Sequence, residues 1–273
     1  MGLFGRGEDS KYLMRRAVSF MKKSQHKKAV GDFKKILKQE PKNEIVLHQI
    51  GVALNELKKY TDTITYMDRL LGINPRSTAA YNNKGKALAE MGNLDSAIKC
   101  YDDAVAVDSR NYEAYFNKGV LFAKIQDYDT SLELIRKSIS LNKKNPVLLL
   151  HLGIVLGKMK KNQEALKVFE SAEHQFGTHP DFTFQRGIQL AEMGEHKKAI
   201  KIFENMGESH MDNVNIIYAI SRSWAALGQY DTALDMLKKA VSKSPKVIRA
   251  WAKDEDIFNP LHENETFRHL VKM

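Results

Sequence analysis

A single cysteine, Cys100, is all the thiol chemistry available to this 273-residue sequence. No intrachain disulfide can form, so a small extracellular scaffold held by disulfides is excluded and a reducing interior is the natural setting. Proline is scarce at 6 and glycine at 16, which leaves little linker material. No apolar run approaches the length that spans a bilayer. The opening Met1-Gly2-Leu3-Phe4-Gly5-Arg6 leads into Glu8, Asp9 and Lys11, so no secretory leader is expected, and Arg6 stands where a myristoylation signal wants Ser or Thr. A cytoplasmic location is the expectation. Catalytic signatures are missing as well: the sequence has no phosphate-binding glycine loop and no nucleophile elbow. Its nine histidines are scattered without carboxylates at ligand spacing. No metal, no cofactor and no enzymatic activity are expected.

What is present is a period. Ala17, Gly51, Gly85, Gly119, Gly153, Gly187 and Ser221 fall 34 residues apart without an insertion, all of them small. A second small column, twelve residues later in each unit, reads Ala29, Thr63, Ala97, Ser131, Ala165, Ala199 and Ala233. Large residues form two more columns: Phe20, Leu54, Leu88, Phe122, Leu156, Leu190, Trp224, and Phe33, Met67, Tyr101, Ile135, Phe169, Phe203, Leu237. Small beside large lets two helices approach closely while bulky side chains fill the surrounding space. Gly92, Gly194 and Gly228 sit at the break between the two apolar periods of their units, where a positive φ can end a first helix. Pro41, Pro75 and Pro245 are expected to close units at the other end.

The fold class that follows is all-α: an α-α superhelix, a solenoid of antiparallel helix pairs. Its seven units are 10–43, 44–77, 78–111, 112–145, 146–179, 180–213 and 214–247. Residues 1–9 form an extension, and 248–273, with Trp251, Phe258-Asn259-Pro260, Phe267 and Leu270, read as a C-terminal cap. The four columns resemble the tetratricopeptide repeat over 238 of the 273 residues. Departures exist. Lys84, Lys118 and Arg186 stand where a bulky apolar residue is expected before the glycine. Met206-Gly207 replaces Ala and a long residue in unit six, so that unit is expected to be the least rigid.

The resemblance implies binding of another protein or peptide in a groove lined by the first helices. Helical geometry places the second, sixth, ninth and thirteenth residues of each unit opposite the core. The sixth-residue column holds Gln49, Asn83, Asn117, His151 and Gln185 in five successive units, a ladder able to pair with the amides of an extended chain. It is similar to the asparagine ladder in the repeat region of the enzyme that attaches N-acetylglucosamine to Ser and Thr. The alternative is an ordinary polar surface column. Asn83 and Asn117 also match the Asn of the clamp by which some family members hold a chaperone's C-terminal carboxylate. The flanking cations are out of register, so that mode is not expected. In the fifth and ninth columns Phe116, Ile154, Phe184, Ile188 and Tyr218 put apolar groups where exposure is expected, with Lys86 and Arg222 beside them. They line a groove or pack against adjacent first helices.

Charge is concentrated at one end. Of the net +10, residues 10–43 contribute +9, from eleven Lys and Arg against two acids. Lys22, Lys23, Lys27, Lys28, Lys34, Lys35 and Lys38 form this patch. It either docks an acidic partner or keeps an open end soluble. The leading function is a scaffold or adaptor that binds an extended or helical peptide. The alternative is a factor associated with nucleic acid or an anionic surface through the basic unit, and sparse Arg and aromatic residues disfavour nucleic acid there.

Overall fold

The computed structural model describes residues 9–207 and 212–272, and among these no strand occurs. Two compact units divide the chain, Met1–Lys143 and Lys144–Met273. The first holds four helix pairs: α1 (Ser10–Lys22) and α2 (His26–Gln39), α3 (Glu44–Glu56) and α4 (Tyr60–Ile73), α5 (Thr78–Glu90) and α6 (Leu94–Val107), α7 (Tyr112–Lys124) and α8 (Tyr128–Leu141). In the second, α9 (Pro146–Lys158) precedes α10 (Asn162–Phe176), α11 (Pro180–Glu192) precedes α12 (His196–Glu204), and α13 (Val214–Ala226) precedes α14 (Tyr230–Lys243). After these come α15 (Pro245–Asp254), a 3-10 helix (Asp256–Leu261) and α16 (Glu265–Val271). The all-α arrangement of tandem helix pairs is the one the period predicts.

Local chemistry explains why each pair begins and turns where it does. Every first helix starts on a side-chain cap: Asp9, Asn43, Ser77, Asn111, Asn145, His179 and Asn213 each accept from a backbone N–H of the first turn. Such a cap is worth about 1 kcal/mol. These residues are also 34 apart, a column as regular as the glycines. The turn between paired helices carries positive φ at Gly92, Gly194 and Gly228, as their glycines predict. Ser24, Lys58, Gln126 and Lys160 adopt the same conformation at the same register without being glycine. Pro245 corrects one expectation: rather than closing a unit, it occupies the first turn of α15, where its missing N–H costs nothing.

Packing follows the columns. All seven residues of the second small column are fully buried, and those of the Phe33-to-Leu237 column are at most 2% exposed. The glycine column works more directly than close approach of backbones alone. The volume a Cβ would occupy at Gly85 is taken by the Tyr101 ring at 2.6 Å, and at Gly119 by Ile135 at 2.9 Å. Met67, Phe169 and Phe203 fill the same place at Gly51, Gly153 and Gly187. Each glycine is thus the socket for the bulky residue sixteen positions later. Burying such a side chain contributes about 1.5–3 kcal/mol.

The three departures before the glycine form a pattern of their own. Lys84 pairs with Asp68 at 2.6 Å and Lys118 with Asp102 at 2.6 Å, while Arg186 pairs with Glu173. In each case a first-helix cation meets an acid on the second helix of the preceding pair. An ion pair has replaced an apolar contact at the same seam.

Candidate functional site

The second compact unit carries two adjoining cavities along its first helices. One, of about 350 Å³, lies between α9 and α11 and is lined by Ile154, Gly157, Lys160, Gln185, Ile188, Gln189 and Glu192. The next, about 260 Å³, is lined by Ile188, Glu192, His196, Arg222, Ser223 and Ile257, bringing together α11, α13 and the 3-10 helix. Ile188 and Glu192 border both, so the two form one groove. Ile154, Gln185, Ile188 and Arg222, named from sequence, stand together in it.

Among the described residues, two polar groups sit deep in this groove without partners. Gln189 is 4% exposed and its Oε1 accepts from nothing, and Ser223 is 1% exposed with an unpaired hydroxyl. Buried polar atoms are normally satisfied, and leaving one unmade costs about 1–3 kcal/mol. Gly157 makes room for the Gln189 amide, whose nitrogen and oxygen each lie 2.8 Å from where a Cβ would be. The Arg222 Nε and the buried His196 Nδ1 are likewise without partners. Sequence reasoning missed Gln189 and Ser223, yet a signal was there. The tenth residue of the unit is Ala53, Ala87, Leu121 and Val155 in units two to five, then turns polar.

The charges of the groove are compensated. Glu192 is 3.2 Å from Lys160 and 3.4 Å from Arg222, and Arg222 reaches Glu255 at 3.0 Å. Burial pushes the Glu192 carboxyl up, but the Lys160 bond and the two cations outweigh it and hold it below its ordinary value. Burial lowers the His196 imidazole, with the neighbouring Arg222 acting in the same direction.

Other sequence-named residues are placed differently. Tyr218 is a correction. It is 6% exposed because Trp251, at 5.5 Å between ring centroids, and Phe258, at 6.1 Å, cover it. The helical pattern could not foresee this, since the covering residues lie outside the repeat. Phe184 is half-buried against Phe203 and lines a separate cavity with Pro180, Met206 and Ile216. In the first compact unit Gln49, Phe116 and Asn117 are half-buried on α3 and α7. Lys86 is exposed and lies 3.4 Å from Glu56. Asn83 is occupied: its Nδ2 donates to the Ala79 carbonyl at 2.9 Å and faces His48 Nε2 at 3.1 Å. Since that nitrogen can only donate, Nε2 is the acceptor. Burial lowers both His48 and, in the second unit, the half-buried His151.

The basic residues Lys22, Lys23, Lys27, Lys28, Lys34, Lys35 and Lys38 are all exposed. Lys28 lies over the Phe20 ring at 5.5 Å. Among the described residues no group of three or more His, Cys, Asp and Glu could hold a metal ion, and no helix is long and apolar enough to cross a membrane.

Comparison with known proteins fits this architecture. Residues 82–146 match the family model described as tetratricopeptide repeat. No curated protein sequence matches the chain. Among solved structures, a tetratricopeptide repeat protein from Parabacteroides merdae is 18% identical and covers 89% of this chain and 97% of its own, with a TM-score of 0.66. YrrB, a TPR protein with an unusual peptide-binding site, is 24% identical over 69% of this chain and 98% of its own, TM-score 0.52. The Cut9-Hcn1 hetero-tetramer of the APC/C matches 98% of this chain and 54% of its own, at 17% identity and TM-score 0.68. Residues 82–146 thus match a tetratricopeptide repeat, and the chain shares the tandem helix-pair fold of these structures.

Proposed function

We propose that this protein is a non-catalytic interaction scaffold, built on seven repeat units from 10 to 247 and a cap over 248–273, that binds an extended segment of another protein. Its binding surface is the groove along α9, α11 and α13. The observation that carries the reading is the pair of unsatisfied buried polar groups, Gln189 Oε1 and Ser223 Oγ, in a groove whose walls include Ile154 and Ile188. An extended chain supplies what they lack: backbone N–H for the amide oxygen, and N–H or C=O for the hydroxyl. Apolar side chains of the same segment would cover the isoleucines. Because Glu192, Lys160, Arg222 and Glu255 offset one another, the recognised stretch is uncharged. YrrB, which shares the fold, is itself described as having a peptide-binding site.

The test is selection of peptides from a random extended-peptide display library on the full-length protein, followed by calorimetry. Gln189→Leu is expected to weaken the selected peptide by roughly 1–3 kcal/mol, since it replaces the amide that pairs with the bound backbone. Ile188→Glu is expected to abolish binding. Equal affinity in wild type and both variants would place the binding surface elsewhere.

A further inference from the structure

The outward face of α2 carries one residue type and one gap. From 27 to 38 every buried position is occupied by Ala29, Val30, Asp32, Phe33, Ile36 or Leu37. Every exposed position is lysine, namely Lys27, Lys28, Lys34, Lys35 and Lys38, with the single exception of Gly31. On a helix the nearest surface neighbours of a residue are those three and four positions away. For Gly31 these are Lys27, Lys28, Lys34 and Lys35, so four lysines flank a stretch of bare backbone.

Among the described residues nothing requires glycine there. A Cβ at Gly31 would meet no atom within 4 Å, unlike the glycines that seat Tyr101 or Ile135. A mid-helix glycine destabilises by about 1 kcal/mol relative to alanine. Of the two acids of this helix pair, Asp32 is buried and bonded to Arg16 at 2.6 and 2.8 Å, while Glu40 is exposed but stands at the C-terminal cap of α2, beyond the lysines that flank Gly31.

We propose that this window docks an acidic segment of a partner protein, a run of Asp and Glu whose backbone crosses α2 over Gly31 while its carboxylates reach the lysines on either side. Charge complementarity selects the sign, and the missing side chain selects the shape, a slot one residue wide that admits a single chain. A flat bilayer cannot reach the floor of the slot, and the exposed apolar residues that would press into it, Tyr12 and Val18, belong to α1. Nucleic acid finds neither Arg nor aromatic rings on this face. The proposal uses no residue of the groove, so either reading can fail alone.

The experiment titrates full-length protein into a fluorescent peptide of alternating Asp and Glu, with an Asn and Gln peptide as control, and repeats it with Gly31→Leu, with anionic vesicles and with a single-stranded oligonucleotide. Gly31→Leu removes a helix glycine, so a raised melting temperature will show that it folds. The acidic peptide is expected to bind, the neutral one not, and Gly31→Leu to weaken the acidic peptide about tenfold, equivalent to 1.4 kcal/mol. A membrane-binding face would respond with the opposite sign, since the added leucine inserts. Undiminished peptide binding by Gly31→Leu, or tighter binding of wild type to vesicles or oligonucleotide than to the peptide, would overturn the proposal.

Discussion

Lys58 and Gln126 take φ values of 57° and 65°, a left-handed conformation that their glycine counterparts Gly92, Gly194 and Gly228 adopt without a Cβ penalty. Replacing Lys58 or Gln126 with glycine is therefore expected to stabilise the fold, by about 0.5–1 kcal/mol each after the cost of a freer unfolded chain. Urea unfolding at fixed protein concentration reads the shift in midpoint. The opposite change at the sockets should be costly. Gly153→Ala drives a methyl group into the Phe169 ring and is expected to destabilise by about 1–3 kcal/mol, measurable in the same assay. The imidazoles set a pH dependence whose sign is fixed by their direction of shift. Burial holds His48 and His151 below the ordinary value of 6.5, so the unfolded chain binds more protons than the folded one as pH falls through that range. Stability is then full above the unfolded pKa and declines below it. Melting temperatures should drop between pH 7 and 5, and a double His48→Gln, His151→Gln variant should show a shallower drop.

Among elements, α12 stands apart. It has nine residues, where the other paired second helices have fourteen or fifteen. Its end at Glu204 is followed by Met206-Gly207, with Gly207 at φ 89°. Amide exchange over 196–204 is expected to be faster than over α10 or α14, and equal protection would remove the distinction. The legibility of these elements in the sequence depended on whether a position repeats. The columns from Gly51 to Gly187 and from Phe33 to Leu237 located both helices of each pair, because side chains that interlock must recur at one register. The capping column from Asp9 to Asn213 recurs equally, but polar residues of several types hide it. The groove was read only in part. Ile154, Gln185 and Ile188 follow from the helical face they share, whereas Gln189 and Ser223 matter because they interrupt an apolar column. Tyr218 was out of reach, since what covers it is Trp251 and Phe258, residues that belong to no repeat.

For the molecule as a whole, charge and period act at different lengths. The net +10 is almost all in residues 10–43, so long-range attraction for an acidic partner is a property of one end, and it weakens as salt shortens the Debye length below about 10 Å. The period has a consequence for chain length itself. Asp68 pairs with Lys84 and Asp102 with Lys118 in the same register, and Asn55 donates to the Asn83 carbonyl where Asn117 stands one step on. Excising 78–111 would bring Asp68 to Lys118, Asn55 to Asn117 and Glu56 to the place where Glu90 meets Lys124. The deletion is expected to give a folded protein with proportionally unchanged helical circular dichroism, whereas a deletion seventeen residues long would join a first helix to a first helix and should not fold. These seams repeat in one register, so the array can be shortened here by one whole step with equivalent residues re-forming these contacts, while the Lys86–Glu56 pair, whose lysine gives way to Val120, is lost.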